Sequence, residues 1–168
     1  MRIREGRAED IDSLVNIFRA CWLDSYRDLL NEEVRQAMTV EKARELWLPA
    51  LTLKTDRESL VACIGENPIG MARIGSDPDM PSRGHLFSLY IEPKYAGKGF
   101  GGALLRAALN TLAAGGFREI SLWVFKANLG ALGLYKKMGF EPTDRERTDP
   151  RWQSLEIEML HGNVTSQI

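Results

Sequence analysis

The sequence is poor in the features that staple a fold or advertise a charged partner. It holds two cysteines, Cys21 and Cys63, whose spacing suggests neither a disulfide framework nor a zinc site. Both read as buried thiols of a reducing cytoplasm, and no metal is expected. Net charge is only −1, so no basic field reaches toward nucleic acid or an anionic membrane. The opening MRIREGRAED lacks the apolar centre of a signal peptide, and the apolar runs fall far short of a membrane span. There is no internal repeat, no low-complexity segment and no linker that would divide two domains. One domain over residues 1–161 is expected, with 162–168 as a frayed tail, in a chain long enough to bury a real core.

What is present is periodicity. IREG (3–6) reads as a first strand. Ile11, Leu14, Val15, Phe18, Cys21 and Trp22 then recur at helical spacing, with Glu9 and Asp10 suited to the first turn. Thr39 can cap a further helix to about Trp47, before Pro49. Two apolar runs around Glu66-Asn67-Pro68 predict a hairpin. HLFSLYIE (85–92) is a strand ended by Pro93. A helix over GALLRAALNTLAA buries Leu104, Leu105, Ala108, Leu109 and Leu112 and stops at Gly115-Gly116. REISLWVF is a strand, LGALGLYKKM a short helix, and WQSLEIEML a last strand.

Between the strand at 85–92 and its following helix lies YAGKGFGGALL (95–105). Gly97, Gly99 and Gly102 spell G-x-G-x-x-G, a dinucleotide fingerprint that is weak when it stands alone. Four residues, Pro93 to Ala96, separate it from its strand. The next strand ends in Phe125-Lys126-Ala127-Asn128, where a ribose-binding acid would be needed. NAD is therefore disfavoured. A glycine loop entering a helix still offers unpaired amides and the positive end of a dipole to an anion.

Two segments together resemble the GNAT N-acetyltransferase superfamily. LYIEPKYAGKGFGGALL is similar to its acetyl-CoA strand, pyrophosphate loop and helix. NLGALGLYKKMGF is similar to its N-x-x-A-x-x-x-Y-x-x-x-G-F segment. The resemblance covers about residues 85 to 140 and implies an α/β fold of the α+β kind. Its sheet would be mixed and mostly antiparallel, flanked by helices and splayed at the cofactor strand. The resemblance also implies acetyl-CoA as donor, with pantetheine along Leu89, Tyr90 and Ile91. The pyrophosphate would sit on amides of Gly97, Lys98, Gly99, Phe100, Gly101 and Gly102, with Asn128 fixing the cofactor arm. Asn128 also suits a helix N-cap. The family's loop often opens with Arg or Gln; here Ala96 stands in that slot and supplies only backbone.

The implied reaction needs a neutral amine, a donor to the oxyanion and a donor to the leaving thiolate. An alkyl ammonium is on the order of 0.1% neutral at pH 7. The backbone N–H of Tyr90 or Ile91 is the natural oxyanion donor. Tyr135 matches the family's general acid, and otherwise reads as a core aromatic. The base is His85, with an intrinsic pKa suited to the task, or Glu92, or water. Strict alternation puts His85 on one face with Phe87, Leu89 and Ile91, about 13 Å along the strand from Leu89. Trp22 and Tyr26 either line an acceptor groove or belong to the core. Asp24, Asp28, Glu32 and Glu33 make that region acidic, which suits a cationic amine. The leading expectation is a small-molecule amine acceptor. A protein acceptor and a non-enzymatic acyl-CoA-binding domain are the alternatives, and a homodimer is compatible with all three.

Overall fold

The computed structural model describes residues 1–53, 55–150 and 153–162. Its strands are β1 (Arg2–Glu5), β2 (Glu58–Ile64), β3 (Asn67–Ser76), β4 (Gly84–Ile91), β5 (Ile120–Phe125), β6 (Glu141–Asp149) and β7 (Ser154–His161). They form one sheet of order β1-β2-β3-β4-β5-β7-β6. Every neighbouring pair is antiparallel except β4 with β5. The helices are α1 (Ile11–Ala20), α2 (Glu32–Gln36), α3 (Val40–Thr52), α4 (Phe100–Ala114) and α5 (Leu129–Lys137).

Helices cover the sheet on both faces, so the central strands alternate between two apolar layers rather than between core and water. On one face Ala62, Ile69, Ala72, Ile74, Leu86 and Leu122 pack against Leu104, Leu105, Ala108 and Leu109 of α4. On the other, Val61, Cys63 and Met71 pack against Leu14, Phe18 and Trp22 near α1 and against Trp47 of α3. Cys21 and Cys63 are buried and unpaired.

The parallel β4–β5 pair is joined through α4, the kind of crossover that parallel strands require. It lasts three residues: Gly84↔Ile120, His85↔Ser121 and Leu86↔Leu122. A β-bulge follows. Ile74 of β3 faces Leu86 and Arg73 faces Ser88, which leaves Phe87 as the extra residue. Beyond it β4 parts from β5, giving the splay that the family resemblance implies.

The bulge also corrects strict alternation. Leu86, Leu89 and Ile91 all pack on the α4 face, while Tyr90 packs on the α1–α3 face. His85, one residue before Leu86, therefore lies on the face opposite Leu89 and Ile91. Gly70 shows how closely β3 and β4 approach past the bulge: a Cβ there would sit 2.4 Å from Ile91 Cδ1 and 2.8 Å from the Tyr90 carbonyl.

Other expectations need smaller corrections. α1 runs into a π-helical turn over Cys21–Ser25, and α2 begins afresh at Asn31, whose side chain accepts the Val34 N–H. α3 continues through Pro49 to Thr52. Its ladder resumes at once, Leu53 N–H bonding to the Pro49 carbonyl at 3.0 Å, and Ala50 is held by burial. The hairpin turns at Gly65-Glu66, with Gly65 at φ +59 and Asn67 already paired to Ile64. β6 was not expected at all. Trp152, the first residue expected in the last strand, and residues 163–168 of the expected tail lie outside the described residues.

Candidate active site

Where β4 and β5 part, a cleft of about 620 Å³ opens. Its deep wall is aromatic. The wider backbone of the Cys21–Ser25 turn brings Trp22 and Tyr26 side by side, rings 5.6 Å apart. Tyr26 meets Phe125 of β5 at 5.3 Å, and Tyr90 of β4 meets Phe18 at 5.2 Å and Trp47 at 6.1 Å. The Tyr26 and Tyr90 rings stand 6.4 Å apart. Burial pushes the Tyr90 phenol up to about 12 and Tyr26 well above its usual range. Trp22 belongs to both readings of the sequence: it is 2% exposed, and it borders the cleft.

Tyr135 enters from α5, fully packed against Phe140 at 5.7 Å and bordering the same cleft. Burial raises its pKa well above that of free tyrosine, with the nearby Tyr90 adding to the effect. Asn128 caps α5, its Oδ1 accepting the Ala131 N–H at 3.1 Å. The cap leaves the Asn128 side-chain amide N–H groups facing a cleft that Asn128 helps to line.

At the closed end of the splay sits a buried polar network. Arg83 donates to Asp77 at 2.8 Å and to Glu158 at 3.0 Å. The Ser121 hydroxyl donates to Asp77, and His85 Nδ1 lies 2.6 Å from Ser121 Oγ. Because the one Ser121 proton is given to Asp77, the Nδ1–H of neutral His85 donates to Ser121 Oγ. Nε2 is thereby left as the acceptor. Burial lowers the His85 pKa to about 4, against the opposing pull of Asp77. The expected titration near the ordinary histidine value is thus displaced, because the ring sits in a low-dielectric hinge. Glu92, the other candidate base, is bonded to Lys94 at 2.7 Å and does not border the cleft.

On the opposite face lies the glycine loop. Gly97 and Gly99 have φ of +73 and +84, which other residues adopt only with strain. Gly101 and Gly102 are different. An added Cβ would meet no protein atom closer than 3.6 Å at Gly101 and 3.8 Å at Gly102, so packing does not demand glycine there. The first backbone bond of α4 runs from Ala103 N–H to the Gly99 carbonyl, 3.1 Å. The amides of residues 97 to 102 are consequently left for a ligand or water at the positive end of a 15-residue helix. This is a cradle that side chains would fill, and it fits a diphosphate. Lys98 donates to the Lys94 carbonyl at 3.0 Å, and Ala96 contributes only extended backbone.

Between loop and cleft runs the open edge of β4. Glu92 N–H bonds to Ile69 of β3. The antiparallel alternation then directs the Leu89 and Ile91 amides away from β3, into the gap left by β5. The Tyr90 amide points back into the sheet, so of the two candidate amides Ile91 N–H is the one that faces the gap. The Ile91 carbonyl already accepts from Cys21 Sγ at 3.1 Å, so pantetheine would find Leu89 freer than Ile91. Burial raises the Cys21 thiol to about 12, which keeps it protonated and donating.

A profile of the acetyltransferase (GNAT) family matches residues 11–140, and the chain belongs to that family. It is 30% identical over 152 residues to a peptidyl-lysine N-acetyltransferase of Salmonella typhimurium, covering 89% of each chain. It is 25% identical over 153 residues to a spermidine N(1)-acetyltransferase of Thermoplasma acidophilum, covering 89% of this chain and 93% of that one. The crystal structure of a PaiA N-acetyltransferase from Thermoplasma acidophilum, in complex with coenzyme A, superposes with a TM-score of 0.78. That match is 23% identical, covers 96% of this chain and 98% of the other, and speaks for the fold alone. The chain spans at most 44% of the length of three further curated relatives, among them two mycothiol acetyltransferases.

The structure also brings into the cleft residues that sequence reading missed: Trp47, Arg57, Arg73, Ser88 and Arg147. Arg73 carried a signal, a charge in the middle of the apolar run IGMARIG. The acidic group Asp24, Asp28, Glu32 and Glu33 does not border the cleft.

Proposed function

We propose that the chain transfers the acetyl group of acetyl-CoA to the primary amine of a small molecule by direct attack. The observation that carries the reading is the splay itself. A glycine cradle opens on one face, an aromatic cleft that Tyr135 also borders opens on the other, and unpaired β4 backbone lies between. The cleft volume is that of a small-molecule site. The named relatives that act on spermidine and on peptidyl-lysine both take amines. The setting proposed is cytoplasmic, with no metal, nucleic acid or membrane required. Among the described residues, no helix is long and apolar enough to cross a membrane.

Bound acetyl-CoA supplies the thioester: the amine nitrogen forms the new C–N bond, the C–S bond breaks, nitrogen gives up one proton and sulfur takes one. The amides of residues 97 to 102 and the Asn128 side chain hold the cofactor, and the Leu89 backbone orients its arm. Ile91 N–H meets the negative charge that develops on the carbonyl oxygen. The Tyr135 hydroxyl donates a hydrogen bond to the departing sulfur. Full proton transfer from an ordinary tyrosine to a thiolate is uphill by about 2 kcal/mol, and burial makes it steeper for Tyr135. Its contribution is therefore a hydrogen bond that strengthens as charge grows on sulfur.

His85 enters as a neutral acceptor. Its Nε2 can take a hydrogen bond from a water that relays the amine proton outward. With a pKa of about 4 it cannot hold that proton at neutral pH. Thiol release from acetyl-CoA across a panel of amines tests the proposal. Amine-dependent release supports it, and stabilisation by acetyl-CoA without release from any amine points to a binding domain instead.

A further inference from the structure

The charges that border the cleft are unevenly satisfied. Asp77 is held by Arg83 and Ser121, Asp79 by Arg145 at 3.2 Å, and Glu156 by Arg147 at 2.6 Å. Asp149 has a partner as well. Two guanidinium groups stand apart. Arg57 lies 4.0 Å above the Phe87 ring, with no carboxylate in salt-bridge range among the described residues. Arg73 is half-buried in β3, and no hydrogen bond or ion pair joins its side chain to another described residue. Asp56, the acid whose charge acts on it, accepts a hydrogen bond from Ser76.

Arg73 is more than a stray surface cation. It opposes Ser88 across the β3–β4 ladder, so both side chains leave the sheet on the α1–α3 face. Arg73 Nε and Ser88 Oγ are both shut off from water and without a partner, and so is Nε1 of Trp47. All three residues border the cleft, and the unmet capacity is mostly that of donors. A guanidinium drawn out of water beside a like charge is costly unless an anion meets it. Arg57 and desolvation together lower the Arg73 pKa, which records that cost. The glycine cradle serves the cofactor phosphates from the opposite face of the sheet, so it does not supply this anion.

We infer that the acceptor carries a carboxylate as well as its amine, and that Arg73, assisted by Arg57, binds that carboxylate at the β3 side of the cleft. Ser88 lies three residues, about 10 Å of strand, from Ile91, whose N–H faces the reacting carbonyl. That separation suits an amine and a carboxylate on one small molecule, an amino acid rather than a simple polyamine. A guanidinium takes a carboxylate through two parallel hydrogen bonds. Arg73 is thus a specificity residue, and the acidic α2 region is not what selects the substrate. The inference rests on the acetyltransferase reading above.

The test compares matched acceptors: L-phenylalanine with phenethylamine, L-methionine with 3-methylthiopropylamine, and L-lysine with cadaverine. Thiol release from acetyl-CoA gives kcat/KM for each. The carboxylated member of at least one pair is expected to be favoured. Arg73→Gln should lower that preference by about 10- to 100-fold, mainly through KM of the amino acid. Arg73→Lys should restore part of it, and Arg57→Gln should lower it less. Melting temperature with and without acetyl-CoA accompanies every variant. If it shows that Arg73→Gln is unfolded, Arg57→Gln and Arg73→Lys decide the matter through the same ratio. Equal or reversed preference in all pairs overturns the inference, as does a ratio unmoved in the folded variants or a raised KM for acetyl-CoA. Release from no amine of any pair, with acetyl-CoA still raising the melting temperature, overturns both the inference and the parent reading in favour of a binding domain. Absence of both release and stabilisation would bring down the parent reading together with its cofactor.

Discussion

The two faces of the sheet at the splay are built on different principles. The α4 face presents backbone: six consecutive amides at one helix start, offered by a glycine-rich stretch of chain. The α1–α3 face offers side chains gathered from distant segments, with Trp22 and Tyr26 at the π-helical turn, Trp47 from α3 and Arg73 from β3, while Tyr135 of α5 packs with the α4-face core and borders the cleft from there. A backbone site needs only a turn and a helix, so sequence spacing can encode it locally. A side-chain site depends on which strands pair and where a bulge falls, and no short motif records that. Under the proposed function the division would also separate tasks, a shared donor on one face and a particular acceptor on the other.

The largest expected effect lies where the faces meet. Tyr135→Phe keeps the ring and its contact with Phe140 and removes only the hydroxyl. Turnover should fall about 10²- to 10⁴-fold, measured as single-turnover thiol release, with the acetyl-CoA dissociation constant almost unchanged. Near wild-type turnover would reduce Tyr135 to a core residue. Gly102→Val addresses the α4 face alone. The protein leaves room for the side chain, so its own melting temperature should hardly move. The stabilisation by saturating acetyl-CoA, about 2.7 kcal/mol at 100 times the dissociation constant, should vanish. A normal ligand shift in this variant would place the cofactor elsewhere.

A smaller effect probes the hinge that joins the faces. His85 has a folded pKa of about 4, below that of an unfolded histidine, so the unfolded chain takes up the proton first as pH falls. Its stabilising contribution is present above about pH 6.5 and is lost progressively toward pH 4. The full loss is about 3 kcal/mol. Urea unfolding of His85→Gln should show a flatter stability curve across that window. An equally steep curve would assign the acid sensitivity to other groups. The smallest effect is expected for Asn128→Ala. Loss of the α5 cap should cost about 1 kcal/mol, and acetyl-CoA should bind several-fold more weakly. Equal affinity would make Asn128 a cap and nothing else.

Legibility followed the same division. The α4 core face, the glycine loop and the helix carrying Tyr135 were readable because each rests on short-range spacing. β6 was not, since EPTDRERTD is an edge strand whose exposed, charged residues show no apolar alternation. The face of His85 was misread because a single bulged residue, Phe87, inverts everything before it relative to everything after. The displaced His85 titration was equally hidden, for it comes from burial of the ring among segments distant in sequence. Arg73 interrupts its apolar strand visibly, yet only the structure shows that no acid among the described residues answers it.

The most direct test of the central claim is the stoichiometry of acetyl transfer. Acetyl-CoA is incubated with the protein and the amine panel, thiol release is followed, and the acetylated amine is quantified by mass spectrometry. The account predicts amine-dependent release with one acetylated amine per thiol, lost in Gly102→Val and strongly slowed in Tyr135→Phe. Thiol release without any acetylated amine, or equal transfer by both variants, would contradict it.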